Sequence, residues 1–216
     1  MRWINRTFRS DIADRYLTTI NHVAEVHAGS VLDIGCGSGR YLAAFARLGV
    51  RRLVGIDLSQ PMLDLARRQI ETTGHASTDL ICGDFELHRF DEQFDVVVAM
   101  GFFDYQADSA ALLAKMRSMA RHSVITSFPS RHWLRTPLRQ VRYRLKNCPV
   151  HFFDFDRIAA VAAKAGFSDV EIVKLPGAGM DYVAILRVSA QVRNVRSVGR
   201  PKISPEALAA SLSSNS

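Results

Sequence analysis

Residues 31–40, which read VLDIGCGSGR, decide the fold of this chain. Residues 30–36 are typical of a buried strand, and a helix is predicted to begin directly after it, at Gly39. The three glycines between them let the chain turn sharply, and they let a ligand approach the backbone without meeting Cβ atoms. The pattern therefore predicts a ligand-binding turn at the carboxyl end of a strand, as in doubly wound α/β sheets.

The spacing of these glycines bears on the kind of ligand. A dinucleotide fingerprint, G-x-G-x-x-G, would need its third glycine at position 40, which is Arg40. The spacing is instead G-x-G-x-G, with Asp33 two residues before the first glycine. The turn on its own leaves open an NAD site or a tight connection without a ligand.

Strands and helices alternate around this turn. The first helix is predicted over 10–27, with its cap at Ser10 or Asp11, and the last over 156–166, with its cap at Asp156. Between them the sequence predicts strands at 30–36, 52–58, 79–82, 94–100 and 123–128, and helices at 39–48, 59–74 and 109–120. Two further strands, 170–175 and 182–188, are joined too closely for a crossover helix, so they are antiparallel. The sum is a doubly wound, Rossmann-like α/β sheet of seven strands with an antiparallel last strand.

The length of 216 residues fits one domain, predicted as 1–189 with a basic insertion at 130–154 and a flexible polar tail at 190–216. The net charge of +7 is local. Residues 131–146 carry six basic side chains and no acid, whereas the rest of the chain before residue 190 is slightly acidic. The excess therefore indicates an anionic partner for the insertion rather than a nucleic-acid-binding fold.

Composition also excludes several classes of protein. Cys36, Cys82 and Cys148 have neither metal-ligand spacing nor an even disulfide framework, so no metal site is predicted. No apolar run approaches the roughly 20 residues of a membrane span, and no signal core follows the first residues. We therefore expect a cytoplasmic protein, with contact to the inner face of a membrane left open. The oligomeric state stays open too.

Two further strand ends carry acidic residues. Asp57 ends the second strand, where a carboxylate can accept hydrogen bonds from ribose hydroxyls. Gly83-Asp84-Phe85 ends the third, where an acid and an aromatic ring can bind adenine. Gly-Asp pairs also form plain turns, so a purely structural role for Asp84 stays open.

Four segments in this order, VLDIGCGSGRY, GIDLSQPMLDLAR, ICGDFE and FDVVVAM, resemble the successive motifs of class I S-adenosylmethionine-dependent methyltransferases. The resemblance covers residues 30–128, and the family's reversed last strand agrees with the predicted hairpin. It implies S-adenosylmethionine as cofactor, with the glycines at the methionine part, Asp57 at the ribose and Asp84 with Phe85 at the adenine. The first helix would close over the cofactor through Arg9, Arg15 or Tyr16. The full predicted set is Asp33, Gly35, Cys36, Gly37, Gly39, Asp57, Leu58, Met62, Asp84, Phe85 and Met100.

Methyl transfer is a displacement at a sulfonium carbon, so alignment of the acceptor matters most, and a general base helps when the acceptor is a hydroxyl. The candidates for that base are Asp104, Tyr105, His132 and His151, each of which has a structural reading as well. The fourth strand is not followed by the [DN]-P-P-[YFW] tetrapeptide of relatives that methylate amides or base amino groups. Methylation at oxygen is therefore favoured over nitrogen or carbon.

The basic insertion predicts an amphipathic helix, because apolar residues recur at 134, 138, 141 and 145 and a basic row follows one position later. Three interpretations stay open: a solvated face, a clamp for an anionic acceptor, or a surface that docks on an anionic membrane. Under the second, Arg131, Arg135 and Arg139 would contact the acceptor. In composition the insertion is similar to methyltransferases of the ubiquinone and Mg-protoporphyrin types.

The sequence thus predicts a methyltransferase that acts on a small or lipid-linked anionic acceptor, with oxygen as the favoured target atom. Two other classes remain. A regulatory protein could bind the cofactor without turnover, and an NAD-linked oxidoreductase is disfavoured by Arg40 and by the closing hairpin.

Overall fold

The computed structural model describes residues 2–103, 108–130, 152–175, 182–188 and 196–198. Within these ranges the chain forms five helices and one sheet of eight strands. The helices are α1 (Arg2–Glu25), α2 (Arg40–Arg47), α3 (Gln60–Glu71), α4 (Ser109–Met119) and α5 (Phe155–Lys164). The strands are β1 (Ser30–Ile34), β2 (Arg52–Asp57), β3 (Thr78–Cys82), β4 (Phe94–Ala99), β5 (Ala120–Phe128), β6 (Asp169–Lys174), β7 (Tyr182–Arg187) and β8 (Arg196–Val198).

The strand order is β3-β2-β1-β4-β5-β7-β6-β8. Strands β1 to β5 are parallel to one another, and β7 runs antiparallel between β5 and β6. This confirms the doubly wound sheet and the antiparallel pair at its end. The order reverses between β1 and β4, which is where such sheets bind ligands at their carboxyl edge.

Three sequence predictions are corrected. Strand β8 lies in the predicted flexible tail and pairs in parallel with β6, so it adds an eighth strand. Helix α1 begins at Arg2 rather than at Ser10, because no glycine or proline interrupts residues 2–10. Helix α5 is capped by Asp154, not by Asp156: the Asp154 side chain accepts a hydrogen bond from the Arg157 amide at 2.9 Å.

The core lies on both faces of the sheet, because neighbouring residues of each strand point to opposite sides. On β4, Val97 and Ala99 face the layer of α4 and α5, whereas Val96 and Val98 face the layer of α1, α2 and α3. All four of these side chains are completely buried. This two-sided burial explains why the strand is almost wholly apolar, and it holds the carboxyl ends of the strands rigidly in register.

Helix α1 carries a buried histidine against the sheet. His22 is 4% exposed, and its Nε2 lies 2.7 Å from the Ser123 hydroxyl on β5. Burial, and next the positive charge of Arg187, lower the pKa of His22 to about 4, against a raising effect of Glu171. The imidazole is therefore neutral in the folded protein at every pH at which the protein is normally handled.

We expect His22 to make the protein less stable in mild acid. The histidine of the unfolded chain has a pKa of about 6.5, so this contribution is complete above pH 6.5 and is lost as the pH falls toward 4. The loss amounts to about 3 kcal/mol between those pH values. In urea unfolding, acidification from pH 7 to pH 4.5 should lower the free energy of unfolding of the wild type relative to that of His22→Gln, because only the wild type carries the His22 contribution. His27→Asn, at an exposed position, is the matched control, and an equal slope for wild type and His22→Gln would contradict the prediction.

Candidate functional site

A cleft of about 490 Å³ opens at the carboxyl edge of the sheet, where β1 to β4 end. It is lined by Gly35, Ile56, Asp57, Leu58, Gly83, Asp84, Phe85, Glu86, Met100, Gly101 and Phe102. Six of the residues predicted to bind a cofactor lie on this lining: Gly35, Asp57, Leu58, Asp84, Phe85 and Met100. The fold therefore gathers residues that are as far as 65 positions apart in the chain into one cavity.

The three glycines after β1 all have left-handed backbone angles, with φ of +67° at Gly35, +53° at Gly37 and +77° at Gly39. Their surroundings differ. Gly35 lines the cleft, and a Cβ on Gly37 would meet nothing within 4 Å. A Cβ on Gly39 would lie 2.8 Å from the Cβ of Ala66, so Gly39 serves the close packing of the loop on α3. The first two glycines leave room for a ligand, and the third holds the turn in place.

Asp57 lines the cleft and also holds two segments of its wall together. One carboxylate oxygen accepts a hydrogen bond from the Gly37 amide at 2.9 Å, and the other accepts one from the Ser59 amide at 2.9 Å. An ionised carboxylate has about four acceptor positions, so two remain for a ligand with paired hydroxyl groups. The same side chain can thus hold the glycine turn and bind a ribose.

Asp33 lies beneath the glycine turn and is 1% exposed. Its Oδ2 has no hydrogen-bond partner in the described part of the chain. Burial, and next the nearby Asp57 carboxylate, raise its pKa to about 8. The Cys36 thiol is buried as well, and burial raises its pKa strongly, so it belongs to the core and not to the lining. Both residues support the turn from below.

The turn after β3 places Asp84 at the far end of the cleft. Its Oδ1 accepts a hydrogen bond from the Glu86 amide at 2.8 Å, which gives the tight turn that the Gly-Asp pair suggested. The ring of Phe85 is only 3% exposed and lies edge-on to Phe102, with 5.9 Å between ring centroids. Phe85 therefore forms a wall of the cleft rather than a lid over it.

Lys115, on α4, fixes this turn in a way that the sequence did not predict. Its Nζ donates to the backbone oxygens of Phe85 at 2.6 Å, of Glu86 at 2.9 Å and of His88 at 2.8 Å. The ammonium also lies 4.8 Å from the centre of the Phe85 ring. Burial lowers the pKa of Lys115, and the acids Asp84 and Glu86 oppose that effect. One cation thus satisfies three carbonyls of the segment that follows Asp84.

The remaining wall of the cleft comes from the end of β4. Met100, Gly101 and Phe102 line it, and the Gly101 amide donates to the Ser127 hydroxyl at 2.8 Å. Arg15 of α1 reaches the same hydroxyl, with Nη1 at 3.5 Å, while its Nε is buried without a partner in the described residues. Helix α1 therefore places a guanidinium beside the point where β4 and β5 end.

Other residues from the predicted site lie elsewhere or outside the described part. Met62 lies on α3, is 44% exposed and does not line the cleft. Tyr16 packs against Tyr41 at 5.5 Å and under the Arg40 guanidinium at 4.4 Å, at the start of α2. The Arg9 side chain and the residues Asp104, Tyr105, Arg131, His132, Arg135, Arg139 and His151 lie outside the described residues.

Five lining residues were not in the predicted set: Ile56, Gly83, Glu86, Gly101 and Phe102. Each is next to, or two positions from, a predicted residue, so the rule that ligands meet strand ends would have included them. Among the described residues, no cluster of three or more His, Cys, Asp or Glu side chains could hold a metal ion. No helix within the described ranges is long and apolar enough to cross a bilayer.

Comparison with known proteins identifies the domain. A family model described as a methyltransferase domain matches residues 31–123. The ubiquinone biosynthesis O-methyltransferase of Bradyrhizobium sp. (strain ORS 278) is 33% identical over 105 residues, which are 48% of this chain and 41% of that protein. The protein of the same name from Neisseria meningitidis serogroup C is 29% identical over 163 residues, 72% of this chain and 68% of the other. The chain spans less than half the length of the first of these relatives.

The fold has counterparts among solved structures. The structure of magnesium protoporphyrin IX methyltransferase from Synechocystis PCC 6803, solved with bound SAH (S-adenosylhomocysteine), superposes on this chain with a TM-score of 0.65 at 18% sequence identity. The match covers 83% of this chain and 85% of that one, and at this identity it shows the shared fold. Together, the four sequence motifs, the family model and the common sheet identify the part of the chain around residues 31–123 as a methyltransferase domain of the class I, S-adenosylmethionine-dependent type.

Proposed function

We propose that this chain binds S-adenosylmethionine in the cleft at the ends of β1 to β4 and transfers its methyl group to a small-molecule acceptor. The observation that carries the proposal is the position of Asp57, which lines the cleft and is bonded to the glycine turn through Gly37. Asp84 lies across the same cleft at the end of β3. Two carboxylates at neighbouring strand ends suit the ribose and the adenine amino group of one nucleoside.

The methionine part of the cofactor would lie over Gly35, close to Met100 and Gly101. Arg15 supports this orientation, because its guanidinium reaches the Ser127 hydroxyl that also accepts from the Gly101 amide, and both side chains can donate to a carboxylate near the end of β4. When bound, the cofactor supplies a methyl group on a good leaving group. The task of the chain is then to hold that methyl carbon in line with the acceptor and to exclude water.

The acceptor is proposed to be a small or lipid-linked anion that is methylated at oxygen. Two relatives named as O-methyltransferases of ubiquinone biosynthesis support oxygen as the target. The missing [DN]-P-P-[YFW] tetrapeptide argues against amides and base amino groups. Arg131, Arg135 and Arg139 remain predicted contacts of the acceptor or of a membrane surface, and Asp104, Tyr105, His132 and His151 remain the predicted bases.

Titration calorimetry with S-adenosylhomocysteine (SAH), the product form of the cofactor, tests the first half of this proposal. We expect saturable one-to-one binding of SAH and no heat from NAD. Absence of SAH binding, or binding of NAD in its place, would overturn the proposal. Incubation with methyl-labelled S-adenosylmethionine and a small-molecule and lipid extract tests the second half: a labelled product supports catalysis, whereas cofactor binding without any product would indicate a regulatory protein.

Lys115→Met should weaken cofactor binding about tenfold, although Lys115 does not line the cleft. The change leaves three carbonyls of the turn after Asp84 without their shared donor, so the turn loosens and the adenine end of the site is less well ordered. Calorimetry measures the affinity of each variant for SAH, and Lys115→Arg should bind SAH more tightly than Lys115→Met does. Lys164→Met, at the exposed end of α5, is the matched control, and equal affinities for the Lys115→Met and Lys164→Met variants would refute the role.

A further inference from the structure

A second cavity, of about 270 Å³, lies beyond the cleft at the same edge of the sheet. Lys174 ends β6 and Tyr182 begins β7, and the two are register partners. Tyr182 is also the partner of Phe128 at the end of β5, so one row of the sheet borders the cavity. The other described lining residues are Ser130, Phe152, Phe153, Asp154 and Arg157. The reversed direction of β7 is what brings its first residue to this edge.

The charged groups of this cavity are two cations and one anion. Arg157 donates through Nη1 to the Phe152 carbonyl at 2.8 Å, and its guanidinium lies 4.6 Å from the centre of the Phe153 ring. Lys174 Nζ lies 5.8 Å from the centre of the Tyr182 ring. Among the described residues, neither cation has a carboxylate oxygen within 4.0 Å, whereas Asp154 is engaged as the cap of α5. The described lining of the cavity therefore has a formal charge of +1, and its two cations have donors that no described carboxylate engages.

Apart from Ser130, the rest of the described wall is aromatic. Phe152 and Phe153 are 9% and 3% exposed, and Tyr182 is half-buried with its ring beside Lys174. Such a wall favours the apolar body of a ligand, and the two cations at the rim favour an anionic group. A planar guanidinium that lies over an aromatic ring and makes one hydrogen bond is held in place, and its remaining donors match the geometry of a carboxylate.

A row of aromatic rings connects this cavity to the cleft. The ring centroids of Phe102 and Phe103 are 5.8 Å apart, those of Phe103 and Phe128 are 5.0 Å apart, and those of Phe128 and Phe153 are 4.8 Å apart. Phe102 lines the cleft and Phe153 lines the second cavity, so their rings lie less than 16 Å apart. This distance lies within the length of one extended small molecule.

We propose that the second cavity binds the carboxylate of the methyl acceptor, through Arg157 and Lys174, while the methylated end of the same molecule lies in the cleft. The formal charge of +1 on the described lining matches one carboxylate and leaves a phosphate dianion incompletely neutralised. The acceptor is thus an extended molecule with an apolar or aromatic body and a carboxylate remote from the methylated atom. This inference rests on the proposed function and adds the chemical class of the acceptor.

The test uses benzoate as the probe on the full chain saturated with SAH, so that the cleft is occupied. Protein-observed NMR should show shifts at Phe153, Arg157 and Tyr182, with benzoate binding more tightly than neutral benzamide and than phenyl phosphate. Arg157→Met and Lys174→Met should each weaken benzoate about tenfold, while Lys164→Met on the same helix should leave it unchanged. All three variants should keep the SAH affinity of the wild type.

The contrary results are equally specific. The inference would be overturned if benzoate bound no more tightly than benzamide, or if neither substitution changed the affinity for benzoate. The proposed function would still stand in that case, provided that SAH binds. Tighter binding of phenyl phosphate would overturn the assignment to a carboxylate. Failure of SAH to bind would instead refute the proposed function, and the benzoate series on the unliganded chain would then show whether Arg157 and Lys174 form an anion site of their own.

Discussion

Asp57→Ala is expected to lower the affinity for SAH at least a hundredfold. The substitution removes the acceptor for the ribose hydroxyls, and it also leaves the Gly37 and Ser59 amides without their partner. Charge-assisted hydrogen bonds are worth about 1.5–3 kcal/mol each, so the loss of two or three exceeds the free energy of a hundredfold change. Asp57→Asn should be nearly as damaging, because its NH₂ group would face a backbone amide that is itself a donor.

Calorimetry on both variants measures this effect. The control is Asp64→Ala on α3, an exposed acid that pairs with Arg67 at 3.3 Å and lies outside the cleft. This variant should bind SAH like the wild type. If Asp57→Ala also bound within threefold of the wild type, the nucleoside would have to lie elsewhere, and the cofactor site described above would be wrong.

The largest effect on stability is expected from Gly39→Ala. The added Cβ would lie 2.8 Å from the Cβ of Ala66 and 2.9 Å from its Cα, and the residue would have to keep a φ of +77°. The clash is with backbone, which cannot move aside as the end of a side chain can. We expect a loss of about 2–4 kcal/mol, from left-handed strain together with overpacking between the glycine turn and α3.

Gly49→Ala is the matched control for this substitution. Gly49 has a similar φ of +81°, but nothing lies within 4 Å of its added Cβ, so only the conformational cost of about 1–2 kcal/mol applies. Urea unfolding of both variants isolates the packing contribution as their difference. Equal losses for the two variants would mean that the loop moves away from α3 at no cost.

The sequence predicted the parts of this molecule that depend on local pattern. The strand-turn-helix segment at 31–40, the acids at the ends of β2 and β3, and the antiparallel pair β6 and β7 all follow from spacing and turn residues. What it missed depends on distance in space. Lys115 lies 30 residues after Phe85, and no periodicity of α4 indicates that its ammonium reaches that carbonyl.

The different roles of the three glycines could not be predicted either, because they too depend on contacts with residues that are distant in the chain. Gly35 and Gly39 look alike in the sequence, but one lines a cavity and the other meets Ala66 of a helix that begins 21 residues later. The error at α5 is of another kind. Asp154 and Asp156 are both good caps, and only the extended backbone of Asp154 and its bond to Arg157 decide between them.

The buried carboxyl group of Asp33 couples folding to the uptake of a proton. Its pKa rises from about 4 in the unfolded chain to about 8 in the folded one, so near neutral pH the folded state holds a proton that the unfolded state has released. This acid makes the protein less stable as the pH rises from 4 to 8, whereas His22 makes it more stable from 4 to 6.5. Between pH 4 and pH 6.5 the contributions of the two groups to the free energy of unfolding change in opposite directions and offset each other. Above pH 6.5 only the destabilising contribution of Asp33 continues to grow. The measured enthalpy of unfolding near pH 7 will therefore depend on the ionisation enthalpy of the buffer.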